Sequence, residues 1–153
     1  MEGAILGMGN PLLDISAEVP MEILTKYDVK LNNAILAEAQ HMPLYAEMIQ
    51  NHEVQYIAGG ATQNSIRVAQ WMLKAGSSAY MGAIGADAFG EQLERCAGED
   101  GVKVHYMKNS EVPTGTCAVL VNASERSLIA NLSAANTFKI EHLDTPEAVE
   151  IVD

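Results

Sequence analysis

Basic residues are scarce. Nine Lys and Arg stand against twenty Asp and Glu, giving a formal net charge of -11, the wrong sign for a footprint on a phosphate backbone or an anionic membrane. Neither nucleic acid nor a membrane surface is therefore expected as a partner. A polyanion such as a nucleoside triphosphate would need a local basic or amide-rich site, and the chain carries no basic cluster to supply one.

Cysteine is almost absent. Cys96 and Cys117 are far apart and lack a metal-ligand spacing, so a reduced intracellular compartment is the default and a structural disulfide the minority reading. His41, His52, His105 and His142 are dispersed and resemble neither metal ligands nor a catalytic pair; no metal site is expected. Long apolar runs are missing too: no stretch reaches the ~18 residues of a membrane span. The first residues lack a basic n-region and are interrupted by Asn10, Pro11 and Asp14. A soluble, unprocessed, cytoplasmic protein is expected, with the nucleus as a second location. Asn122-Ala-Ser124 and Asn131-Leu-Ser133 match the glycosylation pattern but, without a secretory signal, count as chance matches.

What is present describes a globular chain. Of its 153 residues 48% are hydrophobic and 19% charged, and the five Pro and twelve Gly are scattered, which argues against disorder or low complexity. A chain of this size can bury roughly 70% of its unfolded surface.

Ala4 to Met8 is a short apolar run ending at Gly9-Asn10-Pro11, a buried strand that stops at a turn. Leu13 to Val19 alternates, with Asp14, Ser16 and Glu18 on its polar side. Met21 to Tyr27 reads as helix, Ala34 to Ala37 as a short strand, and Glu38 to Asn51 as a helix with Met42, Tyr45, Ala46, Met48 and Ile49 at helical spacing. Val54 to Ala58 is a strand running into Gly59-Gly60. Thr62 to Lys74 follows as a helix with apolar Ile66, Ala69, Met72 and Leu73, closed by Ala75-Gly76. Ala79 to Ile84 and Val102 to Tyr106 are strands flanking a helix over Phe89 to Ala97. Such alternation predicts a parallel sheet covered by helices. Thr116 to Val121 and Ser127 to Leu132 then form an inserted antiparallel hairpin whose polar tip, Asn122 to Arg126, includes Arg126. The final stretch from Asp144 to Asp153 starts a helix at Thr145-Pro146-Glu147, with Ala148, Val149 and Val152 facing nothing to pack on.

Four features carry chemistry, each with a plainer alternative. Gly7-Met-Gly9 invites a dinucleotide-binding reading, but Leu12 replaces the third glycine and Pro11 blocks the helix; glycines closing a strand are the better account. Asp14 can hold two neighbouring hydroxyls through its two oxygens, as a ribose or sugar cis-diol requires, or it is a solvated strand residue. Gly59-Gly60-Ala61-Thr62-Gln63-Asn64 joins a strand to a helix whose free amides suit a hydroxylated ligand, or it is an ordinary turn with Thr62 as N-cap. Arg126 is a phosphate contact made when the hairpin closes, or a solvated tip charge. Trp71 and the eight Met are core or helix-surface residues.

Taken together, Gly7 to Ser16, Ala58 to Trp71, Gly82 to Gly85 with Asp87 and Phe89-Gly90, Pro113 to Cys117 and Arg126 to Asn136 resemble the adenosine kinases of the ribokinase-like (PfkB) carbohydrate kinases, with the wording closest to plant forms. Gly-Gly followed by Asn marks the wider family. The runs with Thr62-Gln63-Asn64-Ser65, Gln70-Trp71 and Arg126 to Asn136 are specific to adenosine kinases.

The resemblance implies an α/β, ribokinase-like doubly wound sheet with a small β lid, of which this chain holds the N-terminal part. Lid elements would lie at about 13–37, 54–60 and 114–133. It implies phosphoryl transfer from ATP, with Mg2+, to the 5'-hydroxyl of adenosine, and a monomeric full-length form. Asp14 would hold the ribose hydroxyls, with Gly59, Gly60, Asn64 and Asn10 around the sugar. Leu12, Leu36, Cys117, Leu128, Ala130 and Leu132 would form the adenine slot, and Arg126 would reach the transferring phosphate. Ala61 stands where some relatives have Ser, a change expected to matter little. The family's Asp-Thr-x-Gly-Ala-Gly-Asp loop, which supplies the catalytic base and phosphate-stabilising amides, does not occur in this sequence. ATP and Mg2+ are thus expected to bind mainly outside this chain, leaving it inactive alone. Another nucleoside or sugar kinase of the family, or a non-catalytic nucleoside-binding protein, are the alternatives.

Overall fold

The computed structural model describes residues 5–152. Ala4, where the first predicted strand begins, and Asp153 lie outside the described residues. Strands β1 (Ile5–Met8), β5 (Ser78–Gly85) and β6 (Lys103–Asn109) form an all-parallel three-stranded sheet in the order β1-β5-β6. Every residue of β5 is buried, as expected of a central parallel strand covered on both faces. Helices α3 (Ala61–Met72) and α4 (Ala88–Glu99) pack around it, burying Ile66, Leu93 and Ala97 with Tyr80, Ile84 and Tyr106.

A second, mixed sheet has the order β3-β8-β7-β2-β4, built from Ala34–Leu36, Glu125–Asn131, Thr116–Asn122, Leu12–Glu18 and Gln55–Gly59 respectively. Helices α1 (Met21–Lys26) and α2 (Met42–Asn51) cover one of its faces, packing Leu24, Leu44 and Met48 on Ile15, Ala17, Ala118, Leu120 and Ile129. Side chains alternate along a strand. Leu12, Asp14 and Ser16 of β2 therefore share the other face with Cys117 and Val119 of β7, and with Arg126, Leu128 and Ala130 of β8.

Several boundaries differ from the sequence reading. The helix expected from Glu38 is a 3-10 turn, Ala39–His41, followed by α2, because Pro43 lacks an N–H and settles into the first helical turn. Its inward residues are Leu44, Tyr45 and Met48, while Met42 stays exposed. α3 is capped by Gly60, at φ 98°, and not by Thr62; it ends at Met72. The side chains it buries include two amides, Gln63 and Gln70, while Met72 and Leu73 are exposed. The amide of Gln70 closes the helix end instead: its Oε1 accepts from the Ser78 N–H and hydroxyl.

The hairpin tip is Ala123-Ser124, and Arg126 lies within β8 opposite Val121. Helix α5 (Pro146–Val152) does find a partner: Ala148 and Ile151 pack on Ala79 and Met81 beside Phe138 and Leu143. The expected inward residues Val149 and Val152 face outward. Among the described residues β1 pairs with β5 alone, and Trp71 on the outer face of α3 is 85% exposed.

Candidate functional site

The open face of the five-stranded sheet meets the N-terminus of α3 in a cavity of about 420 Å³, a size suited to a small organic ligand. Leu12, Asp14, Leu36, Gly60, Asn64, Cys117, Arg126, Leu128 and Ala130, all singled out in the sequence, line it together with Ala34, Ile35 and Ala61. Asn10, Gly59 and Leu132 do not line it. Asn10 donates from Nδ2 to Asn136 Oδ1 at 2.8 Å, and its carbonyl lies where a Cβ on Gly60 would fall. Leu132 packs behind the wall with Leu12, Cys117 and Ala135. Gly59 lies beneath Asp14, so close that a Cβ there would overlap the carboxylate.

The walls are apolar on the β7, β8 and β3 side and polar where β2 meets α3. Asp14 is the one carboxylate of the lining, and among the described residues it accepts no hydrogen bond. Burial pushes its carboxyl up to about 6, although the charges of Arg126 and Arg67 pull the other way. At neutral pH it is an ionised acceptor with both oxygens available. Beside it, the first turn of α3 offers free amides, the Asn64 N–H being taken by the Gly60 carbonyl at 2.9 Å. The Cys117 thiol is pushed up to about 12, by burial first and then by the nearby Asp14, and acts as an apolar wall.

This combination, an apolar slot ending at one unpaired acidic group and a helix N-terminus, suits a ligand with a flat apolar end and a hydroxylated end. Residues 21–153 match the family described as pfkB family carbohydrate kinase. The chain belongs to that kinase family. Within it, the chain is 60% identical to Arabidopsis thaliana adenosine kinase 2, over 99% of its own length and 44% of the relative's. It is 51% identical to Dictyostelium discoideum adenosine kinase, over 97% and 44%. It therefore spans less than half the length of these curated relatives.

Solved adenosine kinase structures superpose on it closely. Anopheles gambiae adenosine kinase in complex with P1,P4-di(adenosine-5) tetraphosphate matches with a TM-score of 0.89 at 50% identity, covering 98% of this chain and 45% of that one. Schistosoma mansoni adenosine kinase in complex with adenosine in an occluded loop conformation matches with a TM-score of 0.88 at 36% identity, covering 99% and 44%.

Sequence reasoning missed three residues that brace the site. Gln63 is fully buried beneath the Gly-Gly turn; its Nε2 donates to the Gly59 carbonyl at 3.0 Å while its Oε1 accepts from the Tyr106 hydroxyl. Arg67 ties Asn64 to the end of β4. Helical spacing places Arg67 one turn after Asn64 and was the one available signal; the partnership of Gln63 with Tyr106 spans 43 positions and left none.

Proposed function

We propose that the cavity over Asp14 is a nucleoside site and that, in the full-length protein, it presents adenosine for phosphorylation by ATP. The observation that carries this reading is a half-buried, unpaired carboxylate closing an otherwise apolar slot. Its two oxygens accept from the 2' and 3' hydroxyls of a ribose, each bond charge-assisted and so stronger than a neutral one. Gly60 and Asn64 complete the sugar site, with Gly59 and Asn10 supporting it from behind. Leu12, Leu36, Cys117, Leu128 and Ala130 enclose the purine, backed by Leu132. The apolar character of that slot favours a nucleobase over a free sugar.

The five-stranded sheet, formed from parts of 13–37, 54–60 and 114–133, acts as the lid, and closing it brings Arg126 toward the phosphate being transferred. In the transfer, the 5'-oxygen bonds to the γ-phosphorus, the bond from that phosphorus to the ADP oxygen breaks, and the hydroxyl proton passes to a base. The cavity lining offers no second carboxylate for that proton. Among the described residues no group of three His, Cys, Asp or Glu side chains could hold a metal ion; an Mg2+ carried on the phosphates of ATP would call for only one or two carboxylates. In this reading the 153-residue chain supplies the nucleoside site, and the base that takes the 5'-hydroxyl proton comes from outside the cavity lining.

Titration calorimetry with adenosine, inosine and ribose tests the reading. Adenosine should bind best, and Asp14→Ala should abolish binding while the protein stays folded. Equal affinity for ribose would remove the purine from the site, and retained adenosine binding in Asp14→Ala would sink the residue assignment.

A further inference from the structure

Arg67, on the second turn of α3, lies inside the Ala58 to Trp71 run that carries the family resemblance, yet no role was read for it there. Its guanidinium is nevertheless fixed at three points. Nη1 donates to the Ala58 carbonyl at 2.6 Å and to Asn64 Oδ1 at 3.0 Å, and Nε donates to Asp100 Oδ2 at the end of α4. Its side chain is 24% exposed although charged. A guanidinium has donors and no acceptor, so the end of the Asn64 amide that meets it has to be the oxygen. The amide nitrogen of Asn64 is then left to the cavity that Asn64 lines.

We propose that Arg67 is a positioning residue for the site: it holds the Asn64 amide with its NH2 end toward the ligand and locks the β4 to α3 junction on which Asp14 rests. The proposal takes its ligand from the nucleoside reading above. An NH2 so directed donates to an ether or hydroxyl oxygen of the sugar, complementing Asp14, which accepts. Donor and acceptor are thereby sorted before the ligand arrives, the preorganisation that lowers the cost of binding.

The same cation has a second consequence. The charged and titratable groups facing Asp14 are Arg126 from β8, Arg67 from α3 and the Cys117 thiol from β7, against the burial that opposes ionisation. Removing Arg67 therefore disfavours the ionised carboxylate. Lysine would restore the charge, but as a single point it could not span Ala58, Asn64 and Asp100 together. A merely structural Arg67, stapling α3 to α4 through Asp100, would affect stability and nothing in the cavity.

The experiment is NMR of the ligand-free chain, reading the order of the Asn64 side-chain amide and the titration midpoint of Asp14, joined to adenosine calorimetry. In Arg67→Met the Asn64 amide should become as mobile as a free surface amide. The Asp14 midpoint should rise, and adenosine should bind about tenfold more weakly. Arg67→Lys should restore the midpoint without restoring amide order. A folded Arg67→Met protein with an ordered Asn64 amide and unchanged affinity overturns the proposal. Should that variant fail to fold, Arg67→Lys decides in the same way: an ordered amide with undiminished affinity overturns, a mobile amide with weaker binding supports. If the unmodified chain binds no adenosine the nucleoside reading falls, while amide order and the Asp14 midpoint still decide the role of Arg67.

Discussion

The carboxylate of Asp14 rests on the bare Cα of Gly59, its diagonal neighbour across the β2–β4 pair, in space that any side chain at position 59 would occupy. The acid can sink halfway into the sheet face because its neighbour has no Cβ. Gly59→Ala should therefore displace the carboxylate, lowering stability by about 1–3 kcal/mol as overpacking does. Adenosine affinity should fall at least about tenfold. Denaturant unfolding and calorimetry on the same preparation read both.

Asp14 trades stability for binding. Its carboxyl titrates at about 6 in the fold against 3.8 unfolded, so the folded chain holds the proton more tightly. The contribution is fully present below 3.8 and is lost as pH rises through 6. At about 1.4 kcal/mol per unit, the penalty at neutral pH is at most about 3 kcal/mol. Asp14→Asn, which carries no charge to desolvate, should be more stable than the parent at pH 8 and no more stable at pH 3, while losing adenosine. Urea midpoints at the two pH values check the sign.

The same midpoint predicts how binding responds to pH. Hydroxyls donate to the ionised carboxylate and lose that partner when it is protonated. Adenosine affinity should be flat above about pH 7 and fall about tenfold per unit below 6. A calorimetric series from pH 4.5 to 8 would show it, and an affinity that rises on acidification would contradict the assignment.

Asp87 joins the two sheets. Its Oδ1 accepts from the Gly90 N–H at 2.8 Å and the Thr114 hydroxyl at 2.6 Å, and its Oδ2 accepts from the Thr114 N–H at 2.8 Å, where the chain enters β7. Burial alone would raise this carboxyl, but the hydrogen bonds from Thr114, then Gly90 and Phe89, outweigh it and hold it below the usual range. Stability from Asp87 is therefore present above its unfolded midpoint of 3.8 and lost as pH falls through the lower folded one. Asp87→Ala should cost about 2 kcal/mol, the upper end for a lost N-cap, measured as a shift in thermal midpoint at pH 7 that narrows in acid.

How much of this was legible depended on how local its cause is. The open face of the second sheet follows from period-two alternation, and Arg126, Leu128 and Ala130 fall on it for that reason; reading Arg126 into the tip came from overextending the turn by two residues. The inward face of α2 was shifted because Pro43 resets where the helix starts. Burial of Ala148 and Ile151 on Ala79 and Met81 could not be read, since it depends on a strand some seventy positions away. Gln63 and Arg67 look like ordinary polar helix residues, and only tertiary partners show otherwise.

The buried relay beneath the Gly-Gly turn offers the sharpest test of that last point. The Tyr106 hydroxyl donates to Gln63 Oε1, and Gln63 Nε2 donates in turn to the Gly59 carbonyl. Tyr106→Phe strands one buried amide oxygen, at about 1–3 kcal/mol, yet leaves the bond to Gly59 in place. Gln63→Leu strands both the hydroxyl and the carbonyl and should cost more, while the double variant should cost less than the sum, because each single change already breaks the shared bond. If the relay holds the floor under Asp14, Gln63→Leu should also weaken adenosine binding and Tyr106→Phe should barely do so. Additive stability losses would show that Gln63 and Tyr106 do not act through one another, and equal losses of affinity in the two variants would show that the bond to Gly59 is not what supports Asp14.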